Sequence, residues 1–163
     1  MKLSNGDISI LIGCLGALLL VLGLIWLIRR LRKDPYPYER RPLLTENEAQ
    51  FYEVLRPAAE ALDLQVLIKM RLADIMAVKS TEKDYMAAFN RIKAKHTDFI
   101  LTDPGTMEVL MGIELDDKSH EQDERIERDI FVDGAYKACG IPLLHVWNPI
   151  TTEELLDLIE ENL

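Results

Sequence analysis

From Ile8 to Ile28 the chain runs for 21 residues without a charge, a length that matches the hydrocarbon core of a bilayer crossed as a helix. The run predicts a transmembrane helix, with the lipid bilayer as the first partner. A cleaved signal peptide fits less well, because the run is too long and no small-residue cleavage pattern follows it. Arg29, Arg30, Arg32 and Lys33 follow the run, against only Lys2 and Asp7 before it. The positive-inside rule therefore expects a single-pass protein of the inner (plasma) membrane, with its N-terminus outside and its C-terminal part in the cytoplasm. Trp26 suits an interfacial anchor. Gly13, Gly16 and Gly23 show no clean small-xxx-small face, so self-association stays open.

The layout expected is an anchor over 1–28, a basic, proline-rich linker over 29–42 and one α/β domain over 43–163. Asp34-Pro35-Tyr36-Pro37-Tyr38-Glu39-Arg40-Arg41-Pro42 reads as an extended spacer. Arg29 to Arg41 holds six basic residues and two acidic ones, whereas 43–163 holds 12 basic and 25 acidic. So acidic a domain is unlike a general nucleic-acid binder. Within it, however, Lys69, Arg71, Lys79, Lys83, Arg91, Lys93, Lys95 and His96 crowd one segment against Asp74, Glu82 and Asp84. That segment is either a surface able to meet phosphates or a solvated charge face. Cys14 and Cys139 imply neither a disulfide nor a zinc framework. There is no Gly-rich phosphate loop, no serine elbow and no internal repeat.

Thr45-Glu-Asn-Glu48 is a capping box that opens a helix over Phe51, Val54, Leu55, Ala58, Ala59 and Leu62, with Pro57 expected to kink or split it. Leu64 to Met70 alternates as a strand, with Val66, Ile68 and Met70 sharing a face. Between Ser80 and Arg91 a short helix is expected to turn Tyr85, Met86 and Phe89 inward. Gln122 to Cys139 reads as a long helix burying Ile126, Ile130, Phe131, Ala135 and Ala138, stopped by Gly140 and Pro142. Leu143 to Trp147 reads as a short buried strand. Thr151-Thr-Glu-Glu154 caps a last helix.

Between the short helix and the long one, Thr97 to Asp103 followed by Met107 to His120 reads as a hairpin about the turn Asp103-Pro104-Gly105-Thr106, where Pro sets φ and Gly permits a positive φ. Alternation places Asp98, Ile100 and Thr102 on one face, and Val109, Met111, Ile113 and Leu115 on an apolar one opposite Gly112, Glu114 and Asp116. Asp98, Glu114 and Asp116 then fall at the hairpin end far from the turn. Carboxylates so close repel unless they share a proton, face water or hold a cation, and an oxygen-only set favours Mg²⁺ or Mn²⁺. The bland alternative is the polar end of a strand running into a loop.

The order helix, strand, inserted helix, hairpin, helix, strand, helix is an α/β sandwich, a mixed central sheet flanked by helices. With Asp98 opening the second strand and Glu114-Leu115-Asp116 closing the third, it resembles the restriction-endonuclease-like superfamily, the PD-(D/E)XK nucleases. More narrowly, Leu44-Thr45-x-x-Glu48-x-x-Phe51-Tyr52, Asp98-Phe99, Glu114-Leu115-Asp116-Asp117-x-x-His120, Arg128-Asp129 and Gly140-Ile141-Pro142-Leu143-Leu144 resemble a bacterial domain of unknown function, family 2726. The acid-rich run leading to a His is also similar to that of the very-short-patch-repair endonucleases.

The resemblance implies that Asp98, Glu114 and Asp116 ligate Mg²⁺ or Mn²⁺, with Asp116 third as ligand or as orienter of water. It implies Glu48 as an accessory acid, although its capping role explains it equally. His120 acts as general acid or base, or ties down the loop after the strand. Two departures stand out. The nuclease lysine two residues after the acid is Asp116 here, with Lys118 or Lys95 as substitutes, and His145 stands where relatives often carry Arg. Two functions follow: a membrane-tethered, metal-dependent nuclease acting on DNA or RNA, or a noncatalytic module binding protein or nucleic acid on the same anchor.

Overall fold

The computed structural model describes residues 5–32, 36–116 and 123–163. The chain divides into two compact units, Met1–Arg41 and Pro42–Leu163. The first holds α1 (Asn5–Leu31), a helix about 40 Å long at 1.5 Å per residue. Its stretch Ser9–Leu31 is long and apolar enough to cross a membrane. At its end the Arg30 guanidinium lies 5.2 Å from the Trp26 ring centre, one helical turn back.

The second unit runs α2 (Glu46–Ala61), β1 (Gln65–Arg71), α3 (Leu72–Ile75), α4 (Tyr85–Ile92), β2 (His96–Thr102), β3 (Val109–Asp116), α5 (Asp123–Cys139), β4 (Leu143–Trp147) and α6 (Thr152–Asn162). Its four strands lie in sequence order in one mixed sheet. β1, β2 and β3 pair antiparallel, and β4 pairs parallel to β3. A parallel neighbour needs a crossover, which α5 supplies. Both expected capping boxes form, Thr45 with Glu48 and Thr151 with Glu154. Gly140 follows α5 with φ +70°, the left-handed stop that Gly adopts without a Cβ clash.

Two cores sandwich the sheet. Phe51, Leu55, Ala58 and Ala59 of α2 and Leu155 and Ile159 of α6 pack on one face with Phe99, Leu101, Met111, Ile113 and Val146. On the other, Leu72, Ile92, Val132 and Tyr136 pack with Ile100. Every residue of both clusters lies between Leu44 and Ile159, so this unit owns its whole core and folds without α1.

Several side chains fall elsewhere than alternation and helical period place them. Met70 packs in the second core while Ile68 packs in the first, because Lys69 between them takes φ +54° and shifts the alternation by one step. Val109 joins the second core, away from Met111 and Ile113. A bulge where Leu101 faces Met111 and Thr102 faces Val109 inserts Leu110 as an extra residue and flips the strand beyond it. In the hairpin loop it is Met107, at φ +62°, that is left-handed, not Gly105. The turn is held by Asp103 Oδ1, which accepts from the Gly105 and Thr106 amides at 2.9 and 2.7 Å. Pro57 sits inside a single uninterrupted α2. On α4, Ile92 is buried while Tyr85 and Met86 are exposed. On α5, Ile130 and Ala138 are exposed and Val132 and Tyr136 are inside, so the helix presents a neighbouring stripe; the Ile126 side chain lies outside the described residues. β4 is half-buried, with Trp147 exposed, as suits a strand at the sheet edge.

The α5 stripe is set by one contact. A Cβ on Gly112 would stand 2.7 Å from the Tyr136 ring, and the Tyr136 hydroxyl hydrogen-bonds Thr97 Oγ1 at 2.6 Å. Tyr136 thus lies flat on bare β3 backbone and reaches across to β2. Gly112→Ala is expected to destabilise the unit by about 1–3 kcal/mol, which thermal denaturation of residues 42–163 would read as a Tm lowered by several degrees. An unchanged Tm would contradict this packing.

Candidate functional site

At the end of the hairpin opposite its turn, the β2–β3 ladder stops at the pair Phe99 and Ile113. Beyond it the Leu115 amide donates to Asp98 Oδ2 at 3.2 Å. A side-chain carboxylate thus replaces the partner strand. In β1 the ladder likewise skips from Ile68–Phe99 to Met70–Thr97, omitting Lys69 and Asp98. The left-handed turn of Lys69 sends its side chain towards α2, where its ammonium donates to Glu48 Oε1 and, at 2.5 Å, to Asp98 Oδ1. A non-glycine residue at φ +54° is strained and persists only where its surroundings hold it. Here two carboxylates do.

Glu48 serves two purposes at once. Its Oε2 accepts from the Thr45 amide at 2.8 Å, closing the capping box, while its other oxygen meets Lys69. Partial burial pushes its carboxyl up, but the hydrogen bonds from Lys69 and Thr45 and the lysine charge hold it below its ordinary value. Burial likewise works against the Lys69 charge, and Asp98 and Glu48 outweigh it, so Lys69 sits above its ordinary value.

Glu114 has the opposite fate. Burial first, then the charge of Asp98, push its carboxyl up to about 8, against the pull of Arg128 and His145, and its side chain hydrogen-bonds Asp98. At neutral pH it is a protonated acid donating to a carboxylate. Sharing a proton is one way for two acids to stand side by side.

Asp116 points elsewhere. Asp116 Oδ2 lies 3.0 Å from Nδ1 of His145, the β4 residue paired with Glu114, and Asp133 Oδ1 of α5 lies 2.9 Å from its Nε2. Burial disfavours the imidazolium, yet the hydrogen bond to Asp133 and the contact with Asp116 raise it above the ordinary histidine value. With both ring nitrogens facing carboxylates, the charged, doubly donating form fits best. Beside it an open groove of about 340 Å³ runs between α5 and β4, lined by Asp133, Tyr136, Lys137 and Pro142 among others.

Of the expected site residues, Glu48, Asp98 and Glu114 therefore converge, and Asp116 belongs to the adjoining histidine cluster. His120 lies outside the described residues, as do Asp117 and Lys118. Lys95, the other expected substitute lysine, lies over the Phe131 ring at 5.2 Å. Among the described residues no group of three His, Cys, Asp or Glu side chains is arranged to hold a metal ion. Asp98 and Glu114 nonetheless suit a hard cation: they are adjacent, oxygen-only and held apart in charge only by a proton. Mg²⁺ commonly binds through one or two carboxylates with substrate phosphates completing its shell. Lys69 and the His145 pairs were not legible. A lysine inside an apolar alternating strand was the available signal, since such a charge needs a partner.

Residues 40–161 match a family model described as "Protein of unknown function (DUF2726)". No curated protein and no solved structure matches the chain.

Glu114 and His145 both hold protons more tightly in the fold than in the open chain. For Glu114 the folded protein binds the extra proton between pH 4.5 and about 8, so stability falls as pH rises through that window. The raised His145 adds the same sign from its unfolded value of 6.5 upward. Residues 42–163 are expected to be more stable near pH 6 than near pH 8, and Glu114→Gln to recover about 1–3 kcal/mol at the higher pH. Chemical denaturation of both proteins across this range checks it, and a flat wild-type profile would contradict it.

Proposed function

The chain belongs to the DUF2726 family of proteins of unknown function, and for this member we propose a metal-dependent phosphodiesterase of the restriction-endonuclease-like PD-(D/E)XK class, acting on DNA or RNA and anchored in the membrane by α1. The observation that carries the reading is the meeting of Asp98, Glu114 and the Lys69 ammonium where β2 and β3 part. Element order and the four-stranded mixed sheet with helices on both faces agree with that class. Anchoring with the domain in the cytoplasm is supported by the length of α1 and the basic residues after it.

Asp98 and Glu114 are the residues that would hold Mg²⁺ or Mn²⁺, with Asp116 close by in sequence as a further acid. Such a cation, when bound, supplies a more acidic water and charge neutralisation on the phosphate. Glu114 must release its proton to take part, so loading is expected to be stronger at higher pH. Lys69 fills the chemical place that Asp116 leaves without a lysine. Because its neighbours keep it charged, its work is electrostatic: it stabilises negative charge growing on a phosphate oxygen rather than removing a proton from water. Glu48 positions that ammonium. His145, charged and tied to Asp116 and Asp133, holds Asp116 and offers a second positive group to a phosphate chain.

A second reading, a tethered module without catalysis, is favoured by one observation: Lys69 already pairs with both Glu48 and Asp98. Full-length protein in detergent, incubated with Mg²⁺ or Mn²⁺ and mixed single- and double-stranded DNA and RNA, separates the two. The expected result is cleavage that falls by about 10²–10³ in Asp98→Asn, Glu114→Gln and Lys69→Met. Absence of cleavage together with no cation-induced rise in Tm would select the noncatalytic module.

A further inference from the structure

The segment joining β1 to β2 reverses the charge of its domain. Residues 69–96 hold seven Lys and Arg against three acids, whereas the rest of 43–163 holds five against 22. Some of these cations are already engaged: Lys69 in the site, Arg71 with Asp74, and Arg91 and Lys95 over the Phe131 ring. Lys79, Lys83 and Lys93 are exposed and make no ion pair with any described residue. Two large apolar side chains stand among them, Tyr85 at 46% and Met86 at 62% exposure. Met86 on α4 and Lys93, the residue that caps its C-terminus, are seven residues apart and share one outward stripe. Tyr85 is braced from behind by Phe89, its ring stacked at 6.2 Å.

We propose that this insertion, the loop before α4 together with the outer side of α4, is a second membrane contact, its lysines taking anionic phospholipid headgroups while Met86 and Tyr85 enter the interface. Exposed lysines around a flexible thioether and an amphipathic ring match the charged headgroup layer and the apolar zone beneath it. The field of an anionic leaflet repels the remaining surface of the domain and attracts only this face. The 14 residues between α1 and α2, spanning at most roughly 50 Å, keep the domain at high effective concentration near the bilayer. Nucleic acid offers the same phosphates, but an outward thioether gains nothing from a phosphate backbone, which favours lipid. The inference draws on the anchoring reading and is independent of the phosphodiesterase reading.

Residues 42–163, which carry their own core, are to be sedimented with phosphatidylcholine vesicles with and without about one-third phosphatidylglycerol. The expected result is binding to the anionic vesicles alone, weakening as salt rises. Lys79→Glu, Lys83→Glu and Lys93→Glu combined should lower partitioning at least about tenfold, and Met86→Asp several-fold, both with the wild-type Tm. Binding equal on neutral and anionic vesicles, no binding, or an unaffected triple variant overturns the proposal. So does release from anionic vesicles by an oligonucleotide, which would give the surface to nucleic acid. Release of the full-length chain from membranes by alkaline carbonate would defeat the anchoring reading alone, leaving the vesicle result to judge the surface itself.

Discussion

One ammonium group ties three elements of the domain together. Lys69 leaves β1 in a left-handed conformation, crosses to Glu48 at the start of α2 and meets Asp98 at the start of β2. All three side chains are mostly shielded, at 28, 14 and 17% exposure, so the pairing is less screened than a surface ion pair. The strain at Lys69 and the proximity of Asp98 to Glu114 make sense only together. Without the lysine, Asp98 would face a second acid with no positive charge to hold its own.

That arrangement depends in turn on strands that part. Past Phe99 and Ile113 the backbone of β3 no longer pairs with β2, and a buried amide without a partner is costly. Asp98 satisfies the Leu115 amide and so converts a gap in the ladder into a place where side chains converge. On the reverse face α5 is pressed to the sheet by Tyr136 over Gly112, which brings Asp133 to His145 and closes the second charge cluster. Two centres of opposite character result: one where a lysine balances acids, and one where acids hold a histidine charged.

Much of the architecture is legible in short-range patterns. Thr45 with Glu48 and Thr151 with Glu154 mark helix starts because the residues of a capping box are three apart and need nothing distant. The strand segments and the acid-bearing end of the hairpin follow from alternation. Errors gather where one residue breaks a period. Lys69 displaces Met70, Leu110 displaces Val109, and Met107 takes the positive φ expected of Gly105. On α5 the apolar residues are spread widely enough that Ile130 and Val132 are equally plausible as the buried stripe, and Tyr136 seated on Gly112 decides between them.

The amino-acid sequence by itself determined the features whose physics is local: an uncharged run long enough for a bilayer, a basic segment after it, the capped helices, the strand periodicity and the placing of Asp98 and Glu114 at one hairpin end. Only the tertiary structure decided which charges meet. Lys69 lies 21 residues from Glu48 and 29 from Asp98, and His145 lies 29 from Asp116. Pairings at such separations depend on how strands are registered and where helices dock, and those in turn on a bulge, a left-handed residue and a glycine beneath a tyrosine. No local pattern encodes such a coincidence, so the donors of the site were readable and their partners were not.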